Sequence, residues 1–178
     1  MIALLRGINV GGKNRLPMQD LRDLLTELGC EDVRTYIQSG NAVFRCAAEA
    51  ATLSRDIQNA IEVRFGFAPQ VMILTASRFD SIVADNPFAD EIVDPQAVHI
   101  SFLAEEAVTA DIDRMNEQCT DNETFHLTKR ALYFHAPDGI GRSAFANNAE
   151  KLLGVAATGR NWRTVCRIAE MARKPDGT

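Results

Sequence analysis

Within nine residues, Arg6-Gly7-Ile8-Asn9-Val10-Gly11-Gly12-Lys13-Asn14 gathers two cations and three glycines between a short apolar run and a helical pattern. Glycine tolerates positive φ, so such a turn can aim successive backbone N–H groups at one point. With Arg6, Lys13 and a following helix N-terminus, that geometry suits phosphate or carboxylate. Taken literally, Gly7, Gly12 and Lys13 match G-x-x-x-x-G-K, with Asn14 where Ser or Thr should stand. A Walker NTPase is disfavoured, because Asn14 offers no hydroxyl for Mg²⁺ and Leu16 and Pro17 put the helix start later than Lys13. A plain strand-to-helix connection uses the same glycines.

The elements around this stretch repeat. Ile2 to Arg6 predicts a strand, and Leu21, Leu24, Leu25 and Leu28 predict a helix from about Pro17 that stops at Gly29. Residues 35–38 and 41–44 predict two strands around Ser39-Gly40, residues 53–65 a helix and residues 70–74 a strand. After a connecting helix over 77–84 and an acidic loop, the order returns: a strand at 98–102, a helix over 108–119, and a hairpin of 124–128 and 131–135. A helix over 145–153, a short strand over 155–158 and a terminal helix from Asn161 to Ala172 complete the second set. Each βαββαβ set is the split βαβ of a ferredoxin-like fold. The expectation is an α+β chain of two tandem ferredoxin-like subdomains with antiparallel sheets, plus a C-terminal helix. Residues 1–76 form the first, 77–96 the connection and 97–178 the second with the terminal helix.

Polar residues then stand where packing does not ask for them: Ser39 and Asn41 at a hairpin turn, Arg160 and Asn161 opening the last helix. If one basic pocket between the subdomains collects them, Arg6, Lys13 and Arg160 neutralise an anion. Asn9, Asn41 and Asn161 then supply amide donors, Gly11 and Gly12 backbone N–H groups, and Ser39 a hydroxyl. Each also has a local explanation, since Asn161 is a good N-cap and Ser39-Gly40-Asn41 an ordinary turn. No catalytic residue is assigned. His99, His126 and His135 lack metal-ligand spacing, so neither a metal nor a cofactor is expected. Cys30, Cys46, Cys119 and Cys166 form no C-x-x-C and read as small buried or partly buried thiols.

With 178 residues, 46% apolar and 24% charged, the chain can bury a core, and no apolar run approaches membrane-spanning length. No basic region precedes the first apolar stretch, so a secretory leader is not expected and the cytoplasm is the default compartment. Charge is uneven. Residues 1–19 carry Arg6, Lys13 and Arg15 with no acid, residues 77–123 carry two Arg against twelve Asp and Glu, and residues 141–174 are basic again. Arg160, Arg163, Arg167 and Lys174 fall near one stripe of the last predicted helix, which would suit a phosphate backbone or simply a solvated face. The net charge of −5 counts against a large nucleic-acid footprint.

Three stretches, residues 3–13 (ALLRGINVGGK), 35–41 (TYIQSGN) and 158–165 (TGRNWRTV), resemble the bacterial proteins grouped as domain of unknown function 1697. The resemblance implies two tandem ferredoxin-like subdomains and carries no established activity. The function expected from the residues is binding of a phosphorylated small molecule or nucleotide. Two alternatives remain: a phosphoryl hydrolase or transferase resembling acylphosphatase in fold, with Asn41 positioning the nucleophile, and nucleic-acid binding across a sheet face bearing Tyr36 and Phe44 or Phe125 and Phe134. No membrane partner is expected, and the sequence leaves the oligomeric state open.

Overall fold

The structure, a computed structural model, describes residues 1–89 and 94–173. The first set of elements is β1 (Ile2–Arg6), α1 (Met18–Glu27), β2 (Glu31–Tyr36), β3 (Asn41–Arg45), α2 (Ala50–Phe65) and β4 (Gln70–Leu74). Next come α3 (Ala76–Ala84), β5 (Val98–Leu103), α4 (Ile112–Gln118), β6 (Thr124–Leu127) and β7 (Ala131–His135). The chain then passes through α5 (Ala144–Leu153) and β8 (Ala157–Asn161) to α6 (Trp162–Arg173).

The sheets run β2-β3-β1-β4 and β6-β7-β5-β8, with every neighbouring pair antiparallel. In the first, β1 and β2 are parallel with β3 between them, and α1 makes the crossover. Leu21, Leu24 and Leu25 of α1 and Leu53, Ile57 and Ile61 of α2 close on Ala3, Leu5, Ala42 and Phe44, so both helices cover one sheet face. In the second, Met115, Phe145, Leu152 and Leu153 pack against Leu103, Leu132 and Phe134. This is the α+β architecture of two ferredoxin-like units with a C-terminal helix.

The chain divides into two compact units, Met1–Ser81 with the residues from Arg167 onward, and Ile82–Cys166. Within the first, Arg34 Nη2 donates to the Met171 carbonyl at 2.9 Å and Arg173 pairs with Asp80 at 2.8 Å. Within the second, the buried Tyr133 hydroxyl donates to the Ile82 carbonyl at 2.7 Å. Among the described residues, no helix is long and apolar enough to cross a membrane.

Three elements depart from their expected bounds. β2 starts at Glu31 and ends at Tyr36, because a bulge between Glu31 and Arg34 interrupts the alternation that marks a strand. α4 starts at Ile112 rather than Val108, because the Asp111 carboxylate accepts from Arg114 N at 3.1 Å and caps the helix there. β8 is displaced to Ala157–Asn161. Arg160 therefore belongs to a strand, which removes it from the predicted basic stripe, and Arg167 of that stripe pairs with Glu170 at 2.8 Å. Lys174 and part of the acidic loop after Phe88 lie outside the described residues.

Candidate functional site

The connection from β1 to α1 is a small hairpin. Gly11 and Gly12 have φ of 59° and 75°, the pattern of a type I′ turn, and Lys13 N donates to Val10 O at 3.1 Å. Asn9 N donates to Asn14 O at 3.0 Å one step further out. Two asparagines hold its base, both in the left-handed region that short amide side chains tolerate. Asn9 Nδ2 donates to Leu16 O at 2.9 Å and Gln38 O at 2.8 Å, while its Oδ1 accepts from Leu16 N at 2.8 Å. Asn14 Nδ2 donates to Gly7 O at 2.8 Å. The amide of Asn9 is thus occupied in closing the loop and tying it to the next hairpin.

That hairpin turns through residues 37–40. The Gly40 carbonyl accepts from Leu5 N at 2.8 Å, and a Cβ on Gly40 would lie 2.7 Å from Leu5 Cβ and 2.9 Å from Ile8 Cδ1. At φ 76° it would also be strained, so glycine is required twice over. Asn41 is buried, and its Nδ2 donates to Tyr36 O at 3.1 Å and Ser39 Oγ at 2.9 Å. Ile37 has φ 46° and is 51% exposed. A β-branched residue in that conformation is strained by on the order of 1–3 kcal/mol, and Ile37 buries little in return.

Arg6, Asn9, Gly11, Gly12, Lys13, Ser39 and Asn41 therefore share one end of the first unit. Arg6 is exposed and its Nη1 donates to Gln70 Oε1 at 3.2 Å. Lys13 and Arg15 are also exposed, and among the described residues neither meets a carboxylate. The N–H groups of Gly11 and Gly12 likewise have no protein acceptor among the described residues. What results is an exposed, basic tip with Val10 69% exposed in its turn. Sequence reasoning passed over Ile37, because a β-branched residue beside Tyr36 looks like strand and only its φ sets it apart.

Arg160 and Asn161 belong to the second unit. Arg160 is half-buried opposite Ile100, its Nη1 donates to Gly159 O at 2.7 Å, and burial pulls its guanidinium down to about 10. Asn161, opposite His99, ends β8 and caps α6 at once, its Oδ1 accepting from Thr164 N at 2.9 Å. It also borders a cavity of about 370 Å³ with Asp94, Gln96, His99 and Asp138. Burial pulls His99 below the usual histidine value, against a hydrogen bond that its ring donates to the Gln96 backbone carbonyl, which raises it. Among the described residues, no three His, Cys, Asp or Glu gather at a spacing that would hold a metal.

Over 97% of its length the chain is similar to conserved bacterial protein SP0830 from Streptococcus pneumoniae, covering 97% of that chain at 26% identity with a TM-score of 0.68. No curated protein matches. Residues 1–133 match the family described as Protein of unknown function (DUF1697). With three-quarters of its length matched, the chain belongs to the DUF1697 family.

Proposed function

We propose that the tip of the first unit binds a phosphate-bearing small molecule or nucleotide. One observation carries this reading: Lys13 and Arg15 stand with the unspent N–H groups of Gly11 and Gly12 on the loop that follows Arg6, and no acid occurs in residues 1–19. An anion there would meet the exposed, carboxylate-free charges of Lys13 and Arg15 while accepting the glycine N–H groups. Asn9, Ser39 and Asn41 are positioning residues in this scheme: Asn9 fastens the loop to the β2–β3 turn, and the Asn41 to Ser39 hydrogen bond braces that turn from within.

Binding is favoured over phosphoryl transfer because the Asn41 amide is buried and bonded to Tyr36 and Ser39, so it orients the turn rather than a nucleophile. Nucleic-acid stacking is disfavoured by the aromatics. Phe44 and Phe134 are buried on the helix side, and Phe125 stacks on Phe145 with centroids 5.0 Å apart.

A thermal-shift screen of inorganic phosphate, nucleotides and sugar phosphates on the wild type, Arg6→Ala and Lys13→Ala tests this. A stabilising ligand should lose about tenfold in affinity in each variant, the value of one charge-assisted hydrogen bond. No shift at millimolar ligand, or a shift that Lys13→Ala leaves intact, would overturn the proposal.

A further inference from the structure

Cys30 and Cys46 lie far apart in the sequence, yet the β2–β3 register brings them face to face. Glu31 and Arg45 are directly opposed at the end of the ladder, so continuing that register by one step sets Cys30, one residue before, opposite Cys46, one residue after. Opposed residues have Cα atoms about 4.5–5.5 Å apart, inside the span that a disulfide bridges. Both side chains point to the helix side: Cys30 is buried in the α1–α2 core and Cys46, half-buried, packs against the same cluster. Cys46 contributes to raising the Cys30 thiol, as a near neighbour does. Cys119 and Cys166 belong to the second unit.

We propose that Cys30 and Cys46 are an oxidation site that closes to an intramolecular disulfide with hydrogen peroxide and reopens with a dithiol. Cys46, the more accessible sulfur, reacts first. Its thiol takes one oxygen from the peroxide, giving Cys46 Sγ–OH and one water. Cys30 Sγ then attacks Cys46 Sγ, the S–O bond breaks, and the hydroxyl leaves as water with the Cys30 proton. Two thiols and one peroxide thus yield one disulfide and two waters. Burial pushes the Cys30 thiol up to about 12, so Cys30 is not the group that meets peroxide, and its own attack on Cys46 is slow because little of it is thiolate. Arg45, beside Cys46, is engaged by Asp32 at 2.6 Å and Glu31 at 3.5 Å, so closure is slow and follows sustained oxidant. The bond would staple residues 31–45, whose far end carries the strained Ile37 turn.

The test is peroxide treatment of the full chain, followed by intact mass, non-reducing peptide mapping and melting. The expected result is a loss of about 2 Da, a single Cys30–Cys46 peptide and a melting point higher by roughly 5 °C, all reversed by dithiothreitol. In Cys30→Ser, a Cys46 sulfenic acid should be trapped by dimedone. The Cys119→Ser/Cys166→Ser double variant should still close the bond. Peptide mapping of the wild type alone decides the matter if a variant fails to fold. A Cys46 sulfinic acid without cross-link, a bond to Cys119 or Cys166, or cross-linking only between chains would overturn the proposal.

Discussion

The two units share one topology and differ at equivalent loops. In the first, the connection into α1 holds Lys13 and Arg15 and no acid; in the second, residues 104–111 hold Glu105, Glu106 and Asp111 and no cation. Asp111 caps α4, whereas Pro17 at the start of α1 makes no side-chain cap. The hairpin turns diverge in the same way. Thr128 Oγ1 accepts from Ala131 N at 3.1 Å and sets an unstrained turn, while its counterpart places Ile37 at φ 46°. Among the described residues, all four non-glycine residues with positive φ (Asn9, Asn14, Asp32 and Ile37) belong to the first unit. The scaffold repeats, but the strain does not, and neither does a connection into the first helix that holds cations and no acid. Three of the four, Asn9, Asn14 and Ile37, lie at the first unit's tip, where the proposed site stands.

The largest blow to this contrast is Gly40→Ala. Its Cβ meets Leu5 and Ile8 at φ 76°, so about 3–5 kcal/mol should be lost in urea denaturation, against under about 0.5 kcal/mol for Lys129→Ala in the other turn. Equal small effects would mean that the first turn is not tightly seated. Asn9→Ala should cost about 2–3 kcal/mol, since Leu16 N, Leu16 O and Gln38 O all lose their partner. Asp111→Ala, which removes a single cap bond, should cost about 1 kcal/mol. Ile37→Asn should stabilise by roughly 1 kcal/mol, because asparagine accepts the left-handed backbone; a lower urea midpoint would argue that Ile37 is held by packing instead.

The smallest effect concerns pH in the second unit. His99 titrates below its unfolded value of 6.5, so as pH falls the unfolded chain takes the proton first. Stability is full above 6.5 and declines as pH drops toward the folded value. Melting curves between pH 7.5 and 5.5 should show that decline, and His99→Gln should flatten it.

Much of the fold was legible because apolar periodicity reports burial. Leu21, Leu24, Leu25 and Leu28 marked α1, and Val98, Ile100 and Phe102 marked β5, within a residue or two of their observed ends. Boundaries failed where one polar side chain decides between elements. Asp111 starts α4 late, and Asn161 serves as strand partner of His99 and as helix cap together. The anion-site candidates were legible as residue types, but the occupied amides of Asn9 and Asn41 were not, because those bonds join segments about thirty residues apart or close a turn of unknown shape. The facing of Cys30 and Cys46 required the register, which no local pattern encodes.

The most direct measurement is an amide chemical-shift titration of the full chain with inorganic phosphate and with ATP, because it reads both units in one experiment. The predicted result is saturable shifts at Gly11, Gly12 and Lys13, reduced in Arg6→Ala, with residues 104–111 unmoved. Absence of saturable shifts at the first unit's tip, or equal shifts in both loops, would contradict the account.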